Sequence, residues 1–594
     1  MHVAVPLAVV GGMIVVVAMQ RDGADRRADE LLARMTLDEK IGQMTQADSG
    51  SIKDPSEVAT LLLGSVLSGG DSEPPDVSPR GWQTMVHAFE KQALTTRLRI
   101  PLIYGIDAVH GHSNVRGATV FPHNIGLGCT RNAKIVEEAG RITAREVAAT
   151  GIHWNFAPCI AVPQDERWGR TYEGFGETAE LAVLLGPPAI RGLQGPDMSA
   201  PGRVLATAKH FVGDGGTRGG VDRGDTAGDE DTLRKIHLAG YVAAVKAGAG
   251  SIMVSYNSWN GQKMHGHARL ITDVLRRELG FEGLLVSDWN GIDELPGTRD
   301  EDVEQAINAG IDMIMAPDSY REFIASLKKN VEAGRVPMSR IDDAVKRILV
   351  TKFTLGLFER PFGEPSLLGE VGSAEHRAVA RQAVRESQVL LVNRQNALPL
   401  SSTLTRIAVA GKAADDIGLQ SGGWTISWQG SSGPVTEGTT VLEAIRRAAP
   451  NAHVSHAPDG NVPRDAQVAV VVIGEQPYAE MKGDRADLSL DAADVAAVRN
   501  AKQAGVRVVV VLFSGRPLIL DPILDHVDAL IAAWLPGTEG DGIADVLFGK
   551  YNPTGKLSVT WPRSMSQVPI NVGPDGEKPQ GALFEYGFGL SYAK

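Results

Sequence analysis

Leu284-Leu285-Val286-Ser287-Asp288-Trp289-Asn290-Gly291 reads as an apolar β-strand that ends by delivering a carboxylate and an indole into a loop. An ionised carboxylate needs charge partners or water, so burying Asp288 there for packing alone would be unfavourable. Acids at the ends of such strands are usually chemical, and the place of this strand among its neighbours therefore decides the fold.

Working outward, short apolar runs alternate with longer helical patterns from Thr36 to Met315, the rhythm of βα units and a parallel sheet. Thr36 and Glu39 have capping-box spacing at the start of the first helix. Strands are expected over residues 41–45, 63–68, 102–107, 152–158, 204–210, 251–256, 284–288 and 311–315. Eight parallel strands in about 300 residues predict a (β/α)8 TIM-like barrel, whose chemistry sits at the C-terminal strand ends. Asp107, Asn155, Lys209, His210, Tyr256, Asn257 and Asp288 all fall at such ends.

Beyond a helical pattern over 341–355 the chain becomes rich in Pro and Gly, and a second α/β rhythm follows. Its strands are expected over 406–410, 466–473, 507–513, 529–533 and 556–560, an open sheet covered by helices on both sides. Ligands of such sheets lie beyond strand carboxyl ends. Gly474-Glu475-Gln476-Pro477-Tyr478-Ala479-Glu480 occupies that position. The fold class is α/β throughout: a signal-like segment over 1–28, a barrel over 29–357, a linker over 358–385 and an α/β sandwich over 386–594.

Composition narrows the function. With 43% hydrophobic and 22% charged residues the chain is an ordinary globular protein, and a net charge of −12 disfavours nucleic acid as a partner. Only Cys129 and Cys159 are present, so no disulfide framework or thiolate zinc cluster is expected. Val3 to Met19 form an apolar run of signal-peptide length before the charged stretch Arg21 to Arg27, although the n-region holds only His2 and the amino terminus. Export to the periplasm or medium is expected, with translation starting somewhat upstream. A retained N-terminal anchor is the alternative. No later segment is apolar enough to span a bilayer, and no stable membrane partner is expected.

One acid at a strand end and a second in a loop of another domain suit the two-carboxylate mechanism of glycoside hydrolysis. One must be ionised and the other protonated, so their surroundings must separate their pKa values. At this point the motifs Gly105-Ile106-Asp107-Ala108-Val109-His110-Gly111, Arg167-Trp168-Gly169-Arg170, Ala208-Lys209-His210-Phe211, Val286-Ser287-Asp288-Trp289 and Gly422-Gly423-Trp424-Thr425-Ile426-Ser427-Trp428-Gln429-Gly430 form one ordered set. From Thr36 to Tyr592 the chain resembles family 3 glycoside hydrolases, in particular two-domain β-D-glucan exohydrolases and β-glucosidases.

The resemblance implies that Asp288 is the nucleophile. It implies Glu480 as the acid/base, because Glu480-Met481-Lys482-Gly483-Asp484 followed by Leu488-Ser489-Leu490 matches the family motif. Glu475, in the same loop, is the competing candidate. Asp107 is expected to accept two sugar hydroxyls, since charge-assisted hydrogen bonds are the stronger kind. Arg170, Lys209 and His210 are expected to complete the pocket for the terminal sugar, with Tyr256 beside the nucleophile. Trp289 and Trp428 are expected to clamp the next sugar by stacking, which would tolerate several linkages.

Three departures matter. The β-N-acetylglucosaminidase branch of the family carries an Asp-x-His pair in a barrel loop, whereas the matching stretch here, Asp222-Arg223-Gly224-Asp225-Thr226, has no histidine. The glycine-rich run Gly213 to Gly220 lacks the order of a phosphate cradle. A cysteine partner that some relatives place a few residues after Cys159 is missing. His110 and His112 have metal-pair spacing without an evident third ligand, and neither metal nor cofactor is expected. The expected function is release of glucose from non-reducing ends of β-linked gluco-oligosaccharides by a retaining mechanism. A β-xylosidase-like or mixed glycosidase and a catalytically silent sugar-binding protein are the alternatives. Oligomeric state is left open.

Overall fold

The computed structural model describes residues 23–69 and 71–593, so the apolar run 3–19 lies outside the described residues. Eight strands form the first sheet: β1 Thr45–Asp48, β2 Ser65–Ser68, β3 Ile103–Ile106, β4 Trp154–Asn155, β5 Leu205–Phe211, β6 Ser251–Val254, β7 Leu284–Val286 and β8 Ile314–Met315. Every residue in them is buried, as expected of parallel strands covered on both faces. They follow the order β7-β6-β5-β4-β3-β2-β1-β8, and all pairs are parallel. A parallel bridge from Val286 to Met313 closes the ring, with Ser287 N donating to Met313 O at 3.1 Å.

The first expected strand needs correction. Thr36 accepts from Glu39 N and Glu39 Oε2 accepts from Thr36 N, and the capped helix runs over Leu37–Gln43. Extension therefore begins only at Thr45, and residues 41–43 are helical. Residues 23–32 are also helical and bury Ala24, Ala28 and Leu31 against the barrel. In this helix Arg27 lies 4.2 Å above the Phe353 ring and pairs with Glu359 at 2.7 Å. The last part of the signal-like stretch thus packs as structure.

The second sheet comprises β9 Val389–Asn393, β10 Arg406–Ala410, β11 His453–Ala457, β12 Val468–Gly474, β13 Arg507–Phe513 and β14 Ala529–Trp534. Their order is β9-β14-β13-β12-β10-β11, parallel except for β9 against β14. β9 and β11 extend the expected sheet at both edges. Residues 556–560, expected as a strand, bend at Ser558 and Val559 and join no sheet. Lys556 N donates to Cys129 O and Thr560 N to Glu177 Oε2, so this segment laces the sandwich to the barrel.

A helix over Ala374–Ser387 occupies the later part of the expected linker. Its Arg381 and Arg385 converge on Asp545 of the sandwich, while His376 Nδ1 lies 2.7 Å from Glu146 of the barrel. The connection is therefore packed on both sides.

Candidate active site

Asp288 lies two residues beyond the end of β7 and is buried at the mouth of the barrel. Its Oδ1 accepts Trp289 N at 2.8 Å, its own N–H is donated to His265 Nε2 at 3.0 Å, and Oδ2 has no hydrogen-bond partner. One oxygen is thus anchored and the other left open. Burial pushes its carboxyl up to about 6, against the pull of Arg170, Lys209 and Arg223.

β5 supplies the neighbouring charges. Lys209 Nζ pairs with Asp107 Oδ1 at 2.5 Å, and Asp107 follows β3, which β4 separates from β5. Asn155 at the end of β4 exchanges two hydrogen bonds with the backbone of Ala108 and so fixes the turn that carries Asp107. Burial alone would lower the Lys209 pKa, but Asp107 raises it above the ordinary lysine range.

His210 and Arg170 link the centre. Arg170 forms a fork on Glu173 with both contacts at 2.9 Å, and its Nη2 donates to His210 Nε2 at 3.0 Å. His210 Nε2 is therefore an acceptor, and Nδ1 carries the proton that it donates to Asp214 Oδ2 at 2.9 Å. Burial, with Arg170 and Lys209 nearby, holds His210 neutral. The same Nε2 is 3.7 Å from Asp288 Oδ2.

Glu480 enters from the loop after β12. Its Oε1 lies 3.6 Å from Arg170 Nη1 and its Oε2 3.2 Å from Arg223 Nη2. Burial pushes its carboxyl up to about 7 despite Arg170 and Arg223, with Asp222 and Asp288 adding to the rise. The close approach depends on Gly169, because a Cβ there would lie 2.1 Å from Glu480 O. Arg516, fully buried in the sandwich, clamps the same contact by donating to Arg167 O at 3.0 Å and to Gly483 O at 2.5 Å. Asp484 adds a second tie, accepting Gly169 N and Asp222 N at 2.8 Å each.

Glu475 stands in a different environment. Its Oε2 accepts Tyr478 OH and Gly515 N, and its Oε1 meets Arg485 and Arg516. Both oxygens are engaged within the sandwich, and neither faces the strand ends of the barrel.

The loop Gly422 to Gly430 roofs the other side. Ile426 N donates to Ser113 O at 2.8 Å, Trp424 Nε1 to Glu173 Oε1 at 3.2 Å and Trp428 N to Asp71 Oδ1 at 3.4 Å. Trp428, Trp424 and Ile426 line an opening with Asp107, Asn114 and Gly69, and the Trp289 ring lies beside Gly69. Tyr256, just beyond β6, donates its hydroxyl to Trp289 O and so braces the loop that follows Asp288. Arg223, Asn290, Trp424, Ile426 and Glu480 all have left-handed φ values between 50° and 64°. Such backbones persist where surrounding structure holds them, and of these five Trp424 and Ile426 line the opening.

Sequence reasoning did not single out Arg223, Glu173, Asp214, His265 or Trp424. Trp424 lay inside a quoted motif and Glu173 sits one turn from Arg170, whereas Arg223 carries no local signal. His110 and His112 diverge: His110 bonds Phe121 O and Thr425, and His112 bonds Thr150. Both cysteines are free and buried.

Two buried acids from separate domains, Asp288 and Glu480, share the cations Arg170 and Arg223, an arrangement suited to two-carboxylate glycoside hydrolysis. Residues 36–351 match the model of the glycosyl hydrolase family 3 N-terminal domain and residues 388–592 that of its C-terminal domain, so the chain belongs to glycosyl hydrolase family 3. A lysosomal beta glucosidase of Dictyostelium discoideum is 35% identical over 96% of this chain and 76% of its own length. A periplasmic beta-glucosidase of Salmonella typhimurium is 32% identical over 96% of this chain and 81% of its own. The crystal structure of an exo-1,3/1,4-beta-glucanase from a Pseudoalteromonas species superposes with a TM-score of 0.91 at 40% identity, covering 96% of this chain and 74% of that one.

Proposed function

We propose that this chain is an exo-acting, retaining β-glucosidase that removes glucose from the non-reducing ends of β-linked gluco-oligosaccharides, with Asp288 as nucleophile and Glu480 as acid/base. The observation that carries the reading is that the two buried acids share cations: Arg170 lies 3.6 Å from Glu480 Oε1 and Arg223 3.2 Å from Glu480 Oε2, and both also oppose the effect of burial on Asp288. Relatives and a structural neighbour named as β-glucosidases or exo-β-glucanases support the substrate class. A β-xylosidase-like activity is the weaker reading.

In the first displacement, Asp288 Oδ2 bonds to the anomeric carbon as the glycosidic C–O bond breaks, and Glu480 gives its proton to the departing oxygen. Water then attacks the glycosyl ester, Glu480 recovers a proton, and Asp288 leaves as a carboxylate. Asp107, Lys209, Arg170 and His210 hold the terminal sugar. Trp289 and Trp428 stack on the next one, giving broad linkage tolerance. Among the described residues no helix is long and apolar enough to cross a membrane. Export is proposed from the apolar run 3–19 together with the periplasmic relative, and the N-terminus of the mature protein would test it.

The decisive experiment offers β-1,3-, β-1,4- and β-1,6-linked gluco-oligosaccharides alongside aryl β-glucoside, β-xyloside and β-N-acetylglucosaminide, with the released sugar followed by NMR. Glucose should appear first as the β-anomer, one unit at a time. Initial release of the α-anomer, internal cleavage, or faster hydrolysis of the xyloside would each refute the proposal. Binding without release would favour the silent sugar-binding alternative.

A further inference from the structure

The loop Asp222-Arg223-Gly224-Asp225-Thr226 lacks a histidine, but it places a cation on the acid that comes from the other domain. Arg223 Nη2 meets Glu480 Oε2 at 3.2 Å, while its Nη1 donates to Glu294 Oε1 at 3.1 Å. The other oxygen of Glu294 accepts Lys263 Nζ at 2.6 Å. Lys263 in turn donates to Tyr256 O at 2.9 Å and to Arg223 O at 3.3 Å. The Arg223 guanidinium lies 3.8 Å above the Tyr256 ring, and its backbone is left-handed with φ of 61°. An arginine with an anchor on one arm, an aromatic face beneath it and a strained backbone is held in one orientation, and its free arm points at Glu480.

We propose that Arg223 is the positioning residue of the acid/base: by bonding Oε2 of Glu480 it makes Oε1 the oxygen that carries and returns the proton. The inference rests on Glu480 being the acid/base. A carboxyl oxygen that accepts an arginine N–H in its plane is poorly placed to bear a proton as well, so the proton settles on the other oxygen. Oε1 lies 3.6 Å from Arg170 Nη1, too far for a hydrogen bond, so it stays uncommitted and can meet a glycosidic oxygen or a water. In the first half-reaction the Oε1 proton goes to the leaving oxygen. In the second, Oε1 takes a proton from the attacking water, and at both stages Arg223 keeps Oε2.

Removing this cation should also move the titration of the site. The charged or titratable groups facing Glu480 are Arg170, Arg223, Asp222 and Asp288, and Arg223 opposes the rise in both Glu480 and Asp288. Those facing Arg223 are Asp222, Glu294, Glu480, Asp288, Tyr256, His210 and His265, with Lys263 on its carbonyl. Without Arg223 both limbs of the pH profile should therefore shift to higher pH.

The test measures kcat/KM for wild type, Arg223→Gln, Arg223→Lys and Glu480→Gln across β-glucosides of graded leaving-group ability, each over a pH series. Arg223→Gln should lose roughly ten-fold or more on an alkyl glucoside and within about three-fold on 2,4-dinitrophenyl β-glucoside, which needs little proton donation. Arg223→Lys should restore the pH limbs while recovering only part of the alkyl rate, because it keeps the charge without the fork. An equal loss on every leaving group with unmoved limbs would overturn the inference and make Arg223 a contact to the aglycone or a purely structural residue. If Glu480→Gln itself lost nothing on poor leaving groups, the acid/base assignment would fall and this inference with it. If Glu480→Gln behaved as an acid mutant while Arg223→Gln stayed flat, only this inference would fall.

Discussion

Two fully buried lysines stand at opposite ends of the barrel, and the fold treats them in opposite ways. Lys352, at the N-terminal ends of β1 to β3, donates to Gln43 Oε1 at 2.6 Å, Gly64 O at 2.8 Å and Pro101 O at 2.7 Å. Its partners are neutral, and burial brings its pKa down to about 7 although Glu90 opposes the fall. Lys209, at the C-terminal mouth, is held by the carboxylate of Asp107, which keeps it a firm cation beside Asp288. Carbonyl acceptors make the lower lysine a staple between strand starts, whereas a carboxylate partner makes the upper one a source of field. Chemistry at the upper end and stability at the lower is the division expected of such barrels.

The largest effects should come from the upper end. Asp288→Asn removes the proposed nucleophile and should lower kcat/KM by about 10³-fold or more, with a Tm at neutral pH equal to or above that of wild type because a carboxylate whose pKa burial raises to about 6 is lost. Steady-state kinetics with a melting curve tests both halves, and near-normal turnover would sink the assignment. Glu480→Ala should lose about 10²- to 10⁴-fold on poor leaving groups and recover on an activated aryl glucoside with azide, yielding a glycosyl azide. The same rescue for Glu475→Ala instead would reverse the choice between them.

Lys209→Met should reduce kcat/KM by about 10- to 100-fold, the scale of a charge-assisted hydrogen bond worth about 1.5–3 kcal/mol. The pH profile gives a smaller and reversible perturbation. Activity should rise as Asp288 ionises at about 6 and fall as Glu480 deprotonates at about 7, so kcat/KM should be bell-shaped with a narrow top. Loss of Asp288 should remove the acid limb, and loss of Glu480 the alkaline one on activated substrates. A flat profile across roughly pH 5 to 8 would break the two-acid account.

Much of the barrel was legible because buried parallel strands write continuous apolar runs that end in a polar residue, as 284–288 does. Errors came where another force produced the same pattern. Residues 41–45 are apolar enough for a strand, but the Thr36–Glu39 box carries the helix through Gln43. Lys556-Leu557-Ser558-Val559-Thr560 alternates because Leu557 and Val559 enter the sandwich core while Ser558 and Thr560 bond Ile125 and Glu177 of the barrel. The edge strand β11 went unseen because its residues are exposed or half-buried and carry no apolar run. At the site, residues delivered by strand ends could be read, whereas Arg223 could not. Its partners Glu294 and Glu480 are 71 and 257 residues away, and only the folded loops bring them together.

The sharpest contrast between the two ends is a substitution that should leave the reaction untouched. Lys352→Met keeps much of the side-chain volume but strands Gln43 Oε1 and Pro101 O in a dry interior, whereas Gly64 O keeps Ile103 N at 3.2 Å; an unsatisfied buried acceptor costs about 1–3 kcal/mol. It also removes the charge that faces Glu90, whose carboxyl burial already pushes up to about 8, so Glu90 should become more firmly protonated. Thermal or denaturant unfolding should therefore register a loss of about 1–3 kcal/mol while kcat/KM of the folded enzyme matches wild type. Lys209→Met should show the reverse pairing, a large loss of rate with a smaller loss of stability. If the lower substitution changed the rate, or the upper one changed only the melting curve, the two lysines would not divide the work of the barrel. The neutral cage around Lys352 would then have to be read as part of the site.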